Sequence, residues 1–141
     1  MRKSKINISG FKIGTAENRD GLTGVTVILA PDGGATAGVD VRGCAPGTRE
    51  TDLLDPRKTV QKIHAVVLSG GSAFGLEAAS GCVKYLAEQG VGFPIGNVCV
   101  PIVCSAVLFD LMIGDEKAYP DLLMGYEAAK SASSEFLSGC N

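Results

Sequence analysis

The residues that could do chemistry fall in a few short stretches. Val66 to Gly75 reads VVLSGGSAFG, an apolar strand running into a glycine-rich turn and then a helix. Such a junction aims unpaired backbone N–H groups and the positive end of a helix dipole at a small concavity. A carboxylate, phosphate or oxyanion fits there. Gly70, Gly71 and Ser72 are therefore candidate substrate-binding residues. The turn is not a Walker A loop, since no Gly-Lys-Ser/Thr follows, and G-x-G-x-x-G is absent. Nor is it a nucleophile elbow, because the spacing around Ser72 is G-x-S-x-x-G. The plainer reading has Gly70, Gly71 and Gly75 permitting close helix–sheet packing, with Ser72 as the helix cap.

A second candidate is Cys44 with His64, twenty residues apart, as a thiol nucleophile and its base. No orienting carboxylate is evident for that pair, and a lone histidine beside a buried strand is more often a packed residue. The loop RGCAPGTRETDLLDP mixes Arg42 and Arg49 with Glu50, Asp52 and Asp55. Such alternation predicts a self-satisfied surface network of weak ion pairs. Its length without regular structure still suits a site or a subunit contact. The five cysteines, with one histidine, lack the paired short spacings of a structural zinc site, so no metal is expected.

Elements must hold these residues in place. Gly24 to Ala30 (GVTVILA) and His64 to Ser69 (HAVVLS) read as buried strands. Ala35 to Val41 alternates apolar residues and suits a hairpin partner for the first of them across Pro31–Gly34. After the glycine turn, Leu76, Ala79, Val83 and Leu86 recur at helical spacing, and Gly90 is a natural stop. Pro101 disfavours a central strand over Val98 to Leu111, so a short strand and an irregular segment are expected there. Pro120 can open a last helix reaching about Phe136, with Leu122, Tyr126, Ala129 and Phe136 inward. Strands interleaved with helices predict a mixed α/β layer fold.

Composition narrows the class. The 141 residues are 45% hydrophobic and 20% charged, enough for a core in a single domain. A net charge of -2 lacks the basic excess of a nucleic-acid binder, and 6% aromatics with no Trp leave few stacking platforms. The first ten residues lack the apolar core of a signal peptide, and Val98 to Phe109 is short for a membrane span. An odd cysteine count without an export signal fits free thiols in the cytoplasm. Glycine stands out at 19 residues, which puts the information in where those glycines sit.

Several stretches together resemble a known family. They are DGLTGVTVIL (Asp20 to Leu29), TAGVDVRG (Thr36 to Gly43), APGTRETDLLDP (Ala45 to Pro56), VVLSGGSAFGLEAASG (Val66 to Gly81), PIVCSAVLFDL (Pro101 to Leu111) and MGYEAAKSAS (Met124 to Ser133). In this order the chain resembles the N-terminal portion of a DmpA-type L-aminopeptidase/D-esterase, a β-aminopeptidyl hydrolase with an N-terminal nucleophile. The resemblance implies a four-layer αββα sandwich of the DmpA/ArgJ-like type, of which residues 1–141 would be a single incomplete domain. It also implies a precursor that cuts itself, exposing a Ser or Thr whose own amine serves as base. That nucleophile would lie outside this chain.

Implied substrates are short peptides, amides and esters with a free amino terminus, handled without metal or organic cofactor. The implied partners are the remaining part of the same precursor and further copies in a homo-oligomer. Ser138 to Asn141 (SGCN) resembles the opening of the family's GNVG-GTG stretch, making Asn141 the oxyanion-hole candidate. Where some relatives carry an acidic residue facing the substrate's ammonium group, Ser105 stands here and supplies no charge. Ser105 is thus a further substrate-binding candidate, and Asp110 nearby is expected to act as a structural cap. Two other readings stay open: an inactive truncated relative serving as a binding or structural subunit, and a Cys44-dependent hydrolase acting alone. The isolated chain is expected to leave one apolar sheet face exposed.

Overall fold

The computed structural model describes residues 2–138. Its elements run β1 (Arg2–Lys5), β2 (Lys12–Asn18), β3 (Thr23–Leu29), β4 (Thr48–Arg49) and β5 (Ala65–Ser69). A tight 3-10 helix (Ser72–Glu77) then leads into α1 (Ala78–Glu88). The rest comprises β6 (Phe93–Ile95), β7 (Val98–Val100), β8 (Val103–Val107), α2 (Leu122–Lys130) and β9 (Glu135–Ser138). The principal sheet has five strands in the order β2-β3-β5-β8-β4. Only β5 and β8 pair in parallel. A parallel pair needs a crossover, and α1 supplies it.

Both helices cover one face of this sheet. Val25, Val27, Leu29, Ala65, Val67 and Val103 point into a core closed by Ala78, Ala79, Cys82 and Leu86 of α1 and by Ala128 and Ala129 of α2. Burial pushes the Cys82 thiol up to about 12, so it is inert packing at neutral pH. Apart from Leu86, the helical residues in this core are small because the layers are close. A Cβ at Gly81 would fall on the Leu122 carbonyl oxygen, and one at Gly125 on that of Ala78. Gly14 of β2 meets the Ala128 carbonyl in the same way.

The other sheet face is only partly covered. Ile63, Ile102 and Cys104 form a second cluster there, roofed by Leu53, Leu54, Val60 and Phe93. Beyond that roof, Thr15 and Leu68 are exposed and Thr26 is half-buried. Leu68 lies on a central strand, yet 46% of it is open to solvent. The chain is thus a mixed α/β protein: a helical layer on a sheet whose far side is half bare.

Three local expectations are corrected. Ala35 does not start a hairpin strand; it makes an isolated bridge to Ile63, and the hairpin partner of β3 is β2. Here β2 offers Gly14 and Ala16 to the helices instead of large apolar residues, because α2 leaves no room. The last helix ends at Lys130, and Phe136 belongs to β9, which pairs with β1. Within α2 the buried positions are Gly125, Ala128 and Ala129, while Leu122 is exposed.

The glycine contacts predict a sharp contrast between two substitutions. Gly81→Ala forces backbone apart and should cost about 3 kcal/mol or more. Gly38→Ala, where a Cβ meets nothing within 4 Å, should be near neutral. Urea unfolding followed by circular dichroism measures both.

Candidate functional site

The glycine turn lies where β5 leaves the sheet. Gly71 and Ser72 both adopt left-handed backbone conformations, with φ of 79° and 52°. For glycine this is free; for Ser72 it is a strained conformation, of the kind that gathers at functional sites. Gly71, not Ser72, is the helix cap, and no side chain caps the first turn. This corrects the expected role of the Ser72 hydroxyl, which makes no hydrogen bond among the described residues.

The turn is held from inside the chain. The Gly71 N–H donates to Asp110 Oδ1 at 2.6 Å, and the Thr23 hydroxyl donates to Asp110 Oδ2 at 2.8 Å. The Gly70 N–H donates to the Gly24 carbonyl at 2.9 Å, and the Ser72 N–H to the Leu108 carbonyl at 2.8 Å. Leu108 in turn donates to Ser69 O at 2.8 Å. A Cβ at Gly70 would collide with Asp110 and Thr23, so the carboxylate needs glycine there. The amides expected to face an anionic ligand therefore already serve Asp110 and backbone carbonyls. Asp110 does what the sequence suggested of it, and Thr23, its partner, carried no signal that pattern reading could detect. Phe74 stacks on Tyr119 at 4.7 Å beside the turn, and Leu108, Phe109, Met112 and Ile113 are exposed nearby.

The other candidates are not gathered at this turn. Ser105 lies in β8 directly opposite Arg49 of β4, and its neighbour across β5 is Val67, on the helix-covered face. It is 2% exposed, and its hydroxyl has no hydrogen-bond partner. Arg49 does not join the surface network expected of its loop. Its Nη1 donates to Ser80 Oγ of α1 at 2.6 Å, whereas Arg42 and Arg57 pair with Asp40 and Asp55. His64 is buried, and its Nδ1 accepts the Ile102 N–H at 3.0 Å. Burial lowers its pKa, which keeps the ring neutral. Cys44 is exposed, and no interaction joins it to His64. Asn141 lies outside the described residues.

Residues 5–141 match the model of peptidase family S58, and the chain belongs to that family. Among curated proteins, an uncharacterized aminopeptidase of Mycobacterium leprae is 45% identical over 134 residues, covering 89% of this chain and 37% of that protein. A 6-aminohexanoate-oligomer endohydrolase of Kocuria sp. is 34% identical over 128 residues, covering 91% of this chain and 33% of the relative. The chain thus spans about a third of the length of these relatives. In fold it is similar to a Burkholderia sp. β-aminopeptidase, with a TM-score of 0.64 at 18% identity over 90% of this chain and 37% of that one.

The turn geometry yields a direct prediction. Asp110→Ala strands the Gly71 amide and the Thr23 hydroxyl and should destabilise the fold by about 2 kcal/mol, since hydrogen bonds to charged acceptors are worth roughly 1.5–3 kcal/mol. Asp110→Asn, which keeps one acceptor oxygen, should lose less. Hydrogen exchange at Gly71 should accelerate in the alanine variant; unchanged exchange would mean that the carboxylate does not hold the turn.

Proposed function

We propose that this chain is the N-terminal portion of an autoprocessing aminopeptidase. The whole enzyme hydrolyses short peptides, amides or esters bearing a free amino terminus. Its nucleophile is a Ser or Thr at a new N-terminus, outside these residues. The single observation that carries the reading is the half-bare sheet. A central strand leaves Leu68 46% exposed, in a chain that spans 37% of its aminopeptidase relative. Burying such a face removes apolar area from water, at about 25 cal/mol per Å². The remaining polypeptide is the natural cover.

In this reading the hydroxyl attacks the scissile carbonyl while the adjacent free amine takes its proton. Charge then develops on the carbonyl oxygen, and a side-chain amide at Asn141 donates to it. The Gly70–Ser72 turn contributes the strained Ser72 hydroxyl as a substrate contact, set in position by Asp110. Ser105, sealed under the helices, takes no direct part. A cytoplasmic, homo-oligomeric assembly of paired subunits fits the free thiols and the exposed apolar loop. One feature favours the rival reading of an inactive binding or structural subunit: the amides of the turn are spent within the chain.

Aminoacyl p-nitroanilides separate these readings. The 141-residue chain alone should release no p-nitroaniline. A polypeptide extended with its natural continuation should split into two fragments and turn the substrate over. Asn141→Ala in that longer protein should lower kcat by about 10²–10³-fold. If the longer protein neither splits nor hydrolyses, the inactive-subunit reading replaces ours. Turnover by the short chain, lost on Cys44→Ala, would replace it with a thiol hydrolase.

A further inference from the structure

Arg49 and Ser105 face each other on neighbouring strands, on the side of the sheet that α1 covers. Arg49 is half-buried, and among the described residues no carboxylate lies within ion-pair distance of it. Its fork uses one donor, to Ser80. The Ser105 hydroxyl is fully enclosed and unpartnered, although a guanidinium stands on the adjacent strand. A buried hydroxyl with no partner, costly to leave unsatisfied, thus stands beside a half-buried guanidinium that has no carboxylate partner among the described residues.

We propose that Arg49, Ser80 and Ser105 form a binding site for a carboxylate, between the edge strand β4, strand β8 and helix α1. The free valences are donors. Arg49 has N–H groups to spare, the Ser80 oxygen is already accepting so its proton is available, and Ser105 has a proton with no acceptor. A donor set around a positive charge excludes a cation. Water would satisfy the hydroxyls and leave the charge uncompensated. A single guanidinium matches a planar monoanion in geometry and charge better than a dianionic phosphate. The carboxylate comes either from an acidic side chain of polypeptide outside these residues or from a small free acid. In both cases a spot that attracts carboxylates repels ammonium groups, so the amine of a substrate is not read at Ser105.

The test follows the Arg49 Nε–Hε resonance of the ¹⁵N-labelled 141-residue chain during titration with sodium acetate, against sodium chloride at matched ionic strength. The expected result is a saturable shift with acetate only. Backbone amides of Ser80 and residue 105 should move with it. Ser105→Ala removes only an unpartnered hydroxyl, so it should fold normally and bind acetate about tenfold more weakly. Arg49→Lys, which keeps the charge without the fork, should weaken it further. Repeating the titration on the longer polypeptide separates the sources. A resonance already displaced and unresponsive means an acidic side chain fills the site; one that still titrates means a free acid does. Shifts that follow ionic strength alone in both proteins, or acetate binding unchanged in Ser105→Ala and Arg49→Lys, would overturn the proposal.

Discussion

The Asp110 carboxylate ties together the end of the sheet at which the glycine turn lies. It accepts from Thr23 at the start of β3 and from Gly71 just past β5, and it sits three residues beyond β8. Three adjacent strands of the sheet therefore converge on one side chain. That convergence explains why glycine is needed at 70, whereas at 71 the left-handed backbone and the closeness of Tyr119 require it. The exposed segment from Leu108 to Ile113 starts where the Leu108 backbone bonds to Ser69 and Ser72. Without the carboxylate the turn would hold a buried amide and a hydroxyl with nothing to accept their protons.

Much of this fold was legible where the chain buries large residues. GVTVILA and HAVVLS announced themselves as β3 and β5, and the glycine turn before α1 followed from its spacing. Legibility failed where burial is achieved by small residues. KIGTAEN gives no apolar alternation because Gly14 and Ala16 are all that α2 allows beneath it. Phe136 was misplaced because β9 pairs with β1, more than 130 residues away, and no local pattern encodes a non-local partner.

The site was readable as a list of residues and unreadable as an arrangement. The motif VVLSGGSAFG marks a turn with donors, but nothing in it says that a carboxylate from residue 110 has taken them. Likewise the alternating charges around Arg49 suggest a solvated network. In three dimensions the edge strand turns that one guanidinium under the helix layer, next to an orphaned hydroxyl. The face on which Ser105 lies depends on strand register, which a lone segment with Pro101 at its start does not disclose. The family resemblance, by contrast, was carried by long exact runs and needed no geometry.

The central claim is that the uncovered side of the sheet is where the rest of a larger hydrolase packs. Thiol footprinting of a Leu68→Cys variant tests it most directly, reading the peptide around position 68 by mass spectrometry. The account predicts rapid alkylation at Cys introduced there in the 141-residue chain and strong protection in the naturally continued polypeptide. Equal labelling in both proteins would contradict it, because the face would then stay open in the complete molecule.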